Sequence, residues 1–178
     1  MIANLIVAFS GLIGFITIFL ILLRYQSNRI TNIYLVIIFL IISTRMLLIG
    51  VFTIENKHLL TTLLTKYNNL LIIIVPCVYL YFVNLIKDYK KIEIKNYIHF
   101  IIPLLFNIVD FLHDNNYFKI NNISHYYYTF FTIYTIIYFL LIFSLLRKNI
   151  WNRKGEIGVV IKQNQLIKNW SIYFYSLL

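Results

Sequence analysis

The chain has 178 residues, a net charge of +10, and a composition that is 61% hydrophobic and only 12% charged. A soluble domain is about 25% charged and 45–50% apolar, so an ordinary water-facing globule is excluded and a bilayer is the expected solvent. The mean hydropathy is +0.79, and the charges sit in short islands between apolar runs near the roughly 20 residues a membrane helix needs. A single cysteine, Cys77, excludes an internal disulfide and a zinc cluster. Abundant Ile, Asn, Lys, Tyr and Phe fit an AT-rich bacterial genome.

The first apolar run covers 2–23. It is too long for a signal peptide, no basic residue precedes it, and no Ala-x-Ala site follows, so it is expected to stay as a span. Ser10 and Gly14 are four apart and offer a small-residue contact to a neighbouring helix. A basic island, 24–32, leads to the second run, 33–52. Arg45 interrupts that run. A charge inside a span costs about 2.5–3.5 kcal/mol on insertion scales, and it normally faces the bundle interior or a wet cavity. The polar loop that follows contains Leu59, Leu60, Leu63 and Leu64, an amphipathic patch suited to the membrane surface.

The third run covers 69–86 and contains Pro76. Cys77, Tyr81, Asn84 and Asp88 share one helical face and read as a helix contact stripe, with a ligand site the alternative. A turn with four lysines, 87–96, separates it from the fourth run, 97–112. There Pro103, Asn107, Asp110 and Asp114 again share a face. Prolines are tolerated in such helices because neighbouring helices and polar side chains re-satisfy the freed carbonyls. Pro76 and Pro103 are therefore the hinge candidates. The next loop holds Asn122-Ile123-Ser124, which matches a glycosylation acceptor but means little in a bacterial chain. The fifth run, 127–146, carries tyrosines at its start and along its length. A basic tail follows, and from Trp170 the chain turns apolar over nine residues, too few to cross a bilayer. These residues look like the opening of a sixth span; a tail lying on the membrane surface is the alternative.

The basic residues orient the chain. Twelve of the sixteen fall in the first connection, the third connection and the tail, whereas three fall in the second and fourth. The positive-inside rule then places the N-terminus outside and the tail in the cytoplasm. The high net charge needs no nucleic-acid patch to explain it. The expected fold is an all-α polytopic transmembrane bundle in the bacterial cytoplasmic membrane. It has five complete spans and the start of a sixth, forming one sensor-like unit over 1–178. In this topology Arg45 and Asp110 occupy the same outer half. They are expected to pair, or to share a wet outer pocket with Asn107, His113 and Asp114. Snorkelling of both charges to the outer headgroups is the alternative.

Chemistry is sparse. No His-Glu-x-x-His occurs, and His58, His99, His113 and His125 are scattered across both membrane faces. Neither a Gly-x-Ser-x-Gly elbow nor a Gly-rich phosphate loop is found. No enzyme activity, cofactor or metal is expected. A small transporter or channel subunit, or an orphan membrane protein of unknown activity, is the alternative, since intramembrane charges mark pathways, although no internal repeat is visible.

The segments RYQSNRITNIYLVIIFLIISTRML, PCVYLYFVNLIKDY and IHFIIPLLF resemble the membrane-embedded N-terminal half of bacterial AraC-type transcription regulators. Two motifs carry most of the likeness: Pro-x-x-Tyr-x-Tyr (Pro76, Tyr79, Tyr81) and His-Phe-x-x-Pro (His99, Phe100, Pro103). The basic tail leading to Trp170 fits as well. The resemblance implies a helical sensor that relays a signal to a cytoplasmic helix-turn-helix domain. No such domain lies within these residues. The chain is therefore expected to be a fragment or a solo sensor, with DNA a partner only through a missing C-terminal domain. The other expected partners are the bilayer, a small ligand on the outer side, and a second copy in a homodimer. Signalling would be a population shift between two bundle packings.

Overall fold

A computed structural model describes residues 2–23, 29–55, 64, 67, 70–87, 93–114, 123–151 and 168–176. These residues are helical almost throughout, and no strand occurs among them. Helix α1 is Ile2–Leu23 and α2 is Arg29–Glu55. Helix α3 is Ile74–Lys87, preceded by helical Leu70 and Leu71 and a turn at Ile72 and Ile73. A short 3-10 turn, Ile94–Tyr97, leads into α4, Ile98–Asp114. Helix α5 is Ile123–Leu146 and ends in a π turn, Arg147–Trp151. A last helix, α6, covers 168–176.

Among the described residues, four segments are long and apolar enough to cross a membrane: Ile2–Leu23, Ile30–Val51, Ile94–His113 and Tyr126–Trp151. At 1.5 Å per residue the first of them is about 33 Å long, matching a hydrocarbon core of about 30 Å. Helix α3 has 14 residues, which is about 21 Å and short of that thickness. The expected continuous third helix over 69–86 is thus interrupted at Ile72 and Ile73. Pro76 stands in the first turn of α3, where its missing N–H costs no helical bond. It therefore marks a helix start, whereas Pro103 lies inside α4.

Despite its length, α3 is the hub. Cys77, Val78, Leu80, Tyr81 and Phe82 are all buried, packed with Ile30, Tyr34 and Ile38 of α2 and Ile142 and Leu146 of α5. Cys77, Tyr81 and Asn84 form the expected contact stripe, and each is buried. Asp88 lies outside the described residues. So do Leu59, Leu60 and Leu63 of the surface patch, the centre of the lysine turn, His58 and Asn122. Of that patch only Leu64 is described, and it is helical.

The helices alternate in direction. Ala8 faces Gly50, Gly11 faces Leu47 and Gly14 faces Ser43, so α1 and α2 are antiparallel. Phe106 meets Tyr127 and Phe130 while His99 meets Tyr138, so α4 and α5 are antiparallel too. One apolar cluster joins Ile72 to Tyr134 and Tyr138, and the other joins Phe82 to Ile142 and Leu146. Both helices advance together through the two clusters, so α3 and α5 run the same way. The outer surface is apolar: Ile2, Ile6, Phe9, Ile13 and Ile16 of α1 are exposed, as are Ile133, Ile136 and Leu140 of α5. Such a surface is unsuited to water and suited to lipid.

Candidate functional site

Proline at 103 creates the first polar demand. It has no N–H, so the carbonyl of His99 four residues earlier loses its helical donor. Tyr134 of α5 fills the gap, its Oη donating to the His99 carbonyl at 3.3 Å. One turn on, Tyr138 Oη lies 2.8 Å from His99 Nδ1, with the donor set by the tautomer. Tyr79 of α3 closes the group. Its ring centroid is 5.0 Å from His99, and it meets Tyr138 edge-on at 5.6 Å. Tyr134 and Tyr138 are 4% and 7% exposed. Three helices are therefore tied together around one imidazole, in a setting with little water to compete for its hydrogen bonds.

Tyr81 lies two residues beyond Tyr79, about 200° around the helix, and so faces elsewhere. Trp170 of α6 donates its Nε1–H to Tyr81 Oη at 2.9 Å. Phe174 packs 5.6 Å from both Tyr81 and Phe82. On its other side, α6 stacks Tyr175 on Phe139 of α5 at 4.4 Å. Trp151 donates to Ser171 Oγ at 3.2 Å, and Ser171 donates in turn to the Lys168 carbonyl at 2.8 Å. The apolar end of the tail is thus docked against α3 and α5.

The expected outer polar site divides in two. Arg45 is half-buried on α2, which packs on α1 and α3. Its Nε is enclosed and has no hydrogen-bond partner. Asp110 instead lines a cavity of about 480 Å³ between α4 and α5, with Phe106, Tyr126, Tyr127 and Phe130. The alternation of helices puts both charges toward the same end of the bundle, but on separate seams. Asn107 donates its Nδ2–H to the Pro103 carbonyl at 2.7 Å. His113 is half-buried near the end of α4, and the Asp114 side chain lies outside the described set. Among the described residues no three His, Cys, Asp or Glu side chains are grouped to hold a metal.

No family model matches the chain, and no curated protein or solved structure does either. The sites must be read from their own chemistry.

Of the motif residues singled out in the sequence, Tyr79 and His99 meet directly, while Tyr81 reaches the tail. Tyr134 and Tyr138 complete the first group and were not distinguishable among the many tyrosines of the fifth run. A signal did exist: their four-residue spacing puts both hydroxyls on one face, and Pro103 announces a carbonyl in need of a donor. The small-residue contact also shifts. Ser10 is exposed and bonds its own helix at Val7, whereas Gly11 and Gly14 meet α2.

Proposed function

We propose that the chain is an integral-membrane signal-input module, the sensor part of a membrane-bound AraC-type transcription regulator in the bacterial cytoplasmic membrane. One observation carries this reading. Helix α3 touches the half-buried imidazole cluster through Tyr79 and the docked tail through Tyr81, so a shift of α3 reaches both. Tail docking is then the output, and two packings of α3 are the two states that a ligand biases. The interrupted start of α3 and Pro103 in α4 supply places for the bundle to give. In this reading the tail and the lysine turn are cytoplasmic, and the short third segment crosses with help from the residues before its turn.

A fusion of residues 1–178 to a helix-turn-helix domain, reading out on a promoter, tests the function. Candidate ligands supplied outside the cell should change the reporter, and Tyr81→Phe should blunt the response. Solute flux through proteoliposomes, with a reporter indifferent to every addition, would favour the alternative of a small transporter or channel subunit, for which the enclosed Arg45 Nε speaks. Orientation is checked separately: a cytoplasm-only reporter fused near Lys91 should be active, and one near Asn121 silent. The purified chain should also need detergent to stay monodisperse.

A further inference from the structure

We propose that the cavity between α4 and α5 is a binding site for an amphiphile with an alkylammonium head. At about 480 Å³ it falls within the roughly 300–1,000 Å³ usual for small-molecule sites. Its lining is almost wholly apolar, with Asp110 as the acidic group among the rings of Phe106, Tyr126, Tyr127 and Phe130. Phe106 stacks on Phe130 at 4.3 Å and meets Tyr127 at 5.5 Å with the rings inclined by 64°. Aromatic walls turned through different angles around one carboxylate suit an ammonium head, whose charge they meet from several sides. Ring faces attract it through their quadrupoles, and Asp110 balances its charge. Ile133 continues the lining in apolar character and accommodates a short tail.

Other occupants fit less well. An anion would meet the carboxylate head-on. A hard divalent cation needs several oxygen ligands, and one carboxylate among aromatic rings does not supply them. A plain acyl chain fills the space but makes no use of the carboxylate at its edge. The ammonium has two sources, a free amphiphile or the headgroup of an ethanolamine lipid, and the chemistry at Asp110 is the same for both.

This inference rests on the signal-input reading for its purpose, but its test reads binding alone. The full chain, held in neutral detergent, is titrated with hexyltrimethylammonium, hexanesulfonate and hexanol, which share a tail length. The ammonium should bind at least about tenfold tighter than the other two. Asp110→Asn should remove that preference while leaving hexanol unchanged, and Asp110→Glu should retain it. Phe130→Leu keeps the carboxylate and should weaken the ammonium selectively, which preserves the test if Asp110→Asn does not fold. Equal binding of the three probes, or a preference untouched by both Asp110→Asn and Phe130→Leu, overturns the site. Nanodiscs of phosphatidylglycerol with and without phosphatidylethanolamine then assign the source: competition by the ethanolamine lipid identifies a headgroup, and its absence a free amphiphile. A silent fusion reporter beside intact, Asp110-dependent binding would sink the input reading and leave the site standing.

Discussion

Between α1 and α2 the backbones touch, and around α3 they are held apart by rings. In the first seam Gly11 lies against Ser43 and Leu47, Gly14 against Ser43, and Gly50 against Ala8. Close approach gives many small dispersion contacts, each worth about 0.1–0.2 kcal/mol. In the second region Tyr79, Tyr134 and Tyr138 surround His99, and Trp170 bonds Tyr81. Small-residue packing is the usual glue where lipid removes the hydrophobic drive between helices. It also tolerates little sliding. Aromatic packing with a few hydroxyl bonds offers alternative rotamers and partners, so the second region is the one suited to hold two states. The chemistry of the candidate sites is concentrated there.

The comparison breaks most visibly at Gly50. A Cβ there meets the N, Cα and Cβ of Ala8, and backbone cannot swing aside. Gly50→Leu should cost at least the roughly 1–3 kcal/mol of an overpacked core, read as earlier unfolding in an SDS titration of mixed micelles. Gly14→Ala meets the Ser43 hydroxyl, which can rotate away, and then the Ser43 Cβ at 2.9 Å, which cannot, so its cost should be smaller than that of a clash with backbone but not zero. If the two substitutions prove equally mild, the seam is not a backbone contact.

The second region is tested by the Pro103 carbonyl problem. Tyr134→Phe leaves the part-buried His99 carbonyl without that donor, at a cost near the lower end of the about 1–3 kcal/mol of an orphaned buried group. Pro103→Ala restores a helical N–H to that carbonyl. Tyr134→Phe should then cost less in the Pro103→Ala background than in the wild type. A double-mutant cycle with no coupling would show that Tyr134 does not serve the proline.

Most of the helical plan was legible because its signal is cumulative. Apolar runs and charged islands delimit a first helix at 2–23, and all of those residues are helical. The second helix extends past its apolar run at both ends, to Arg29 and Glu55, because polar residues at a membrane surface are free to continue a helix that the hydropathy pattern stops counting. The break at Ile72 and Ile73 was hidden. Both residues are apolar, and the proline that follows by three or four positions was read as a kink inside a span. The site was legible only through its rarer residues. Pro103 and His99 stand out in such a sequence, but Tyr134 and Tyr138 become special only once α5 lies beside α4. Likewise Arg45 and Asp110 share a bundle end by topology, and sequence carries no sign of which seams they occupy.

Tail docking should respond to a smaller change. Trp170→Phe keeps a ring beside Phe174, 5.7 Å away in the wild type, and removes the bond to Tyr81. Hydrogen bonds between membrane helices average about 0.6 kcal/mol, so global unfolding should barely move. Amide exchange in 168–176 should quicken by roughly threefold, as that energy implies for local opening. Unchanged exchange would mean that the rings alone hold α6, and Tyr81 would lose its place as the link to the tail.

The smallest effect expected is a coupling near zero. Arg45 lies on the helix packed against α1 and α3, while Asp110 lines the cavity between α4 and α5. Charges on separate seams should behave independently. The double exchange R45D/D110R should then lose stability as the sum of its single changes, within about 0.3–0.5 kcal/mol. A double variant markedly more stable than that sum would require the two side chains to meet, and so would bring α2 against α4. That single outcome would also join the two regions contrasted here, because the small-residue half would then share a charge with the aromatic half and would move with it.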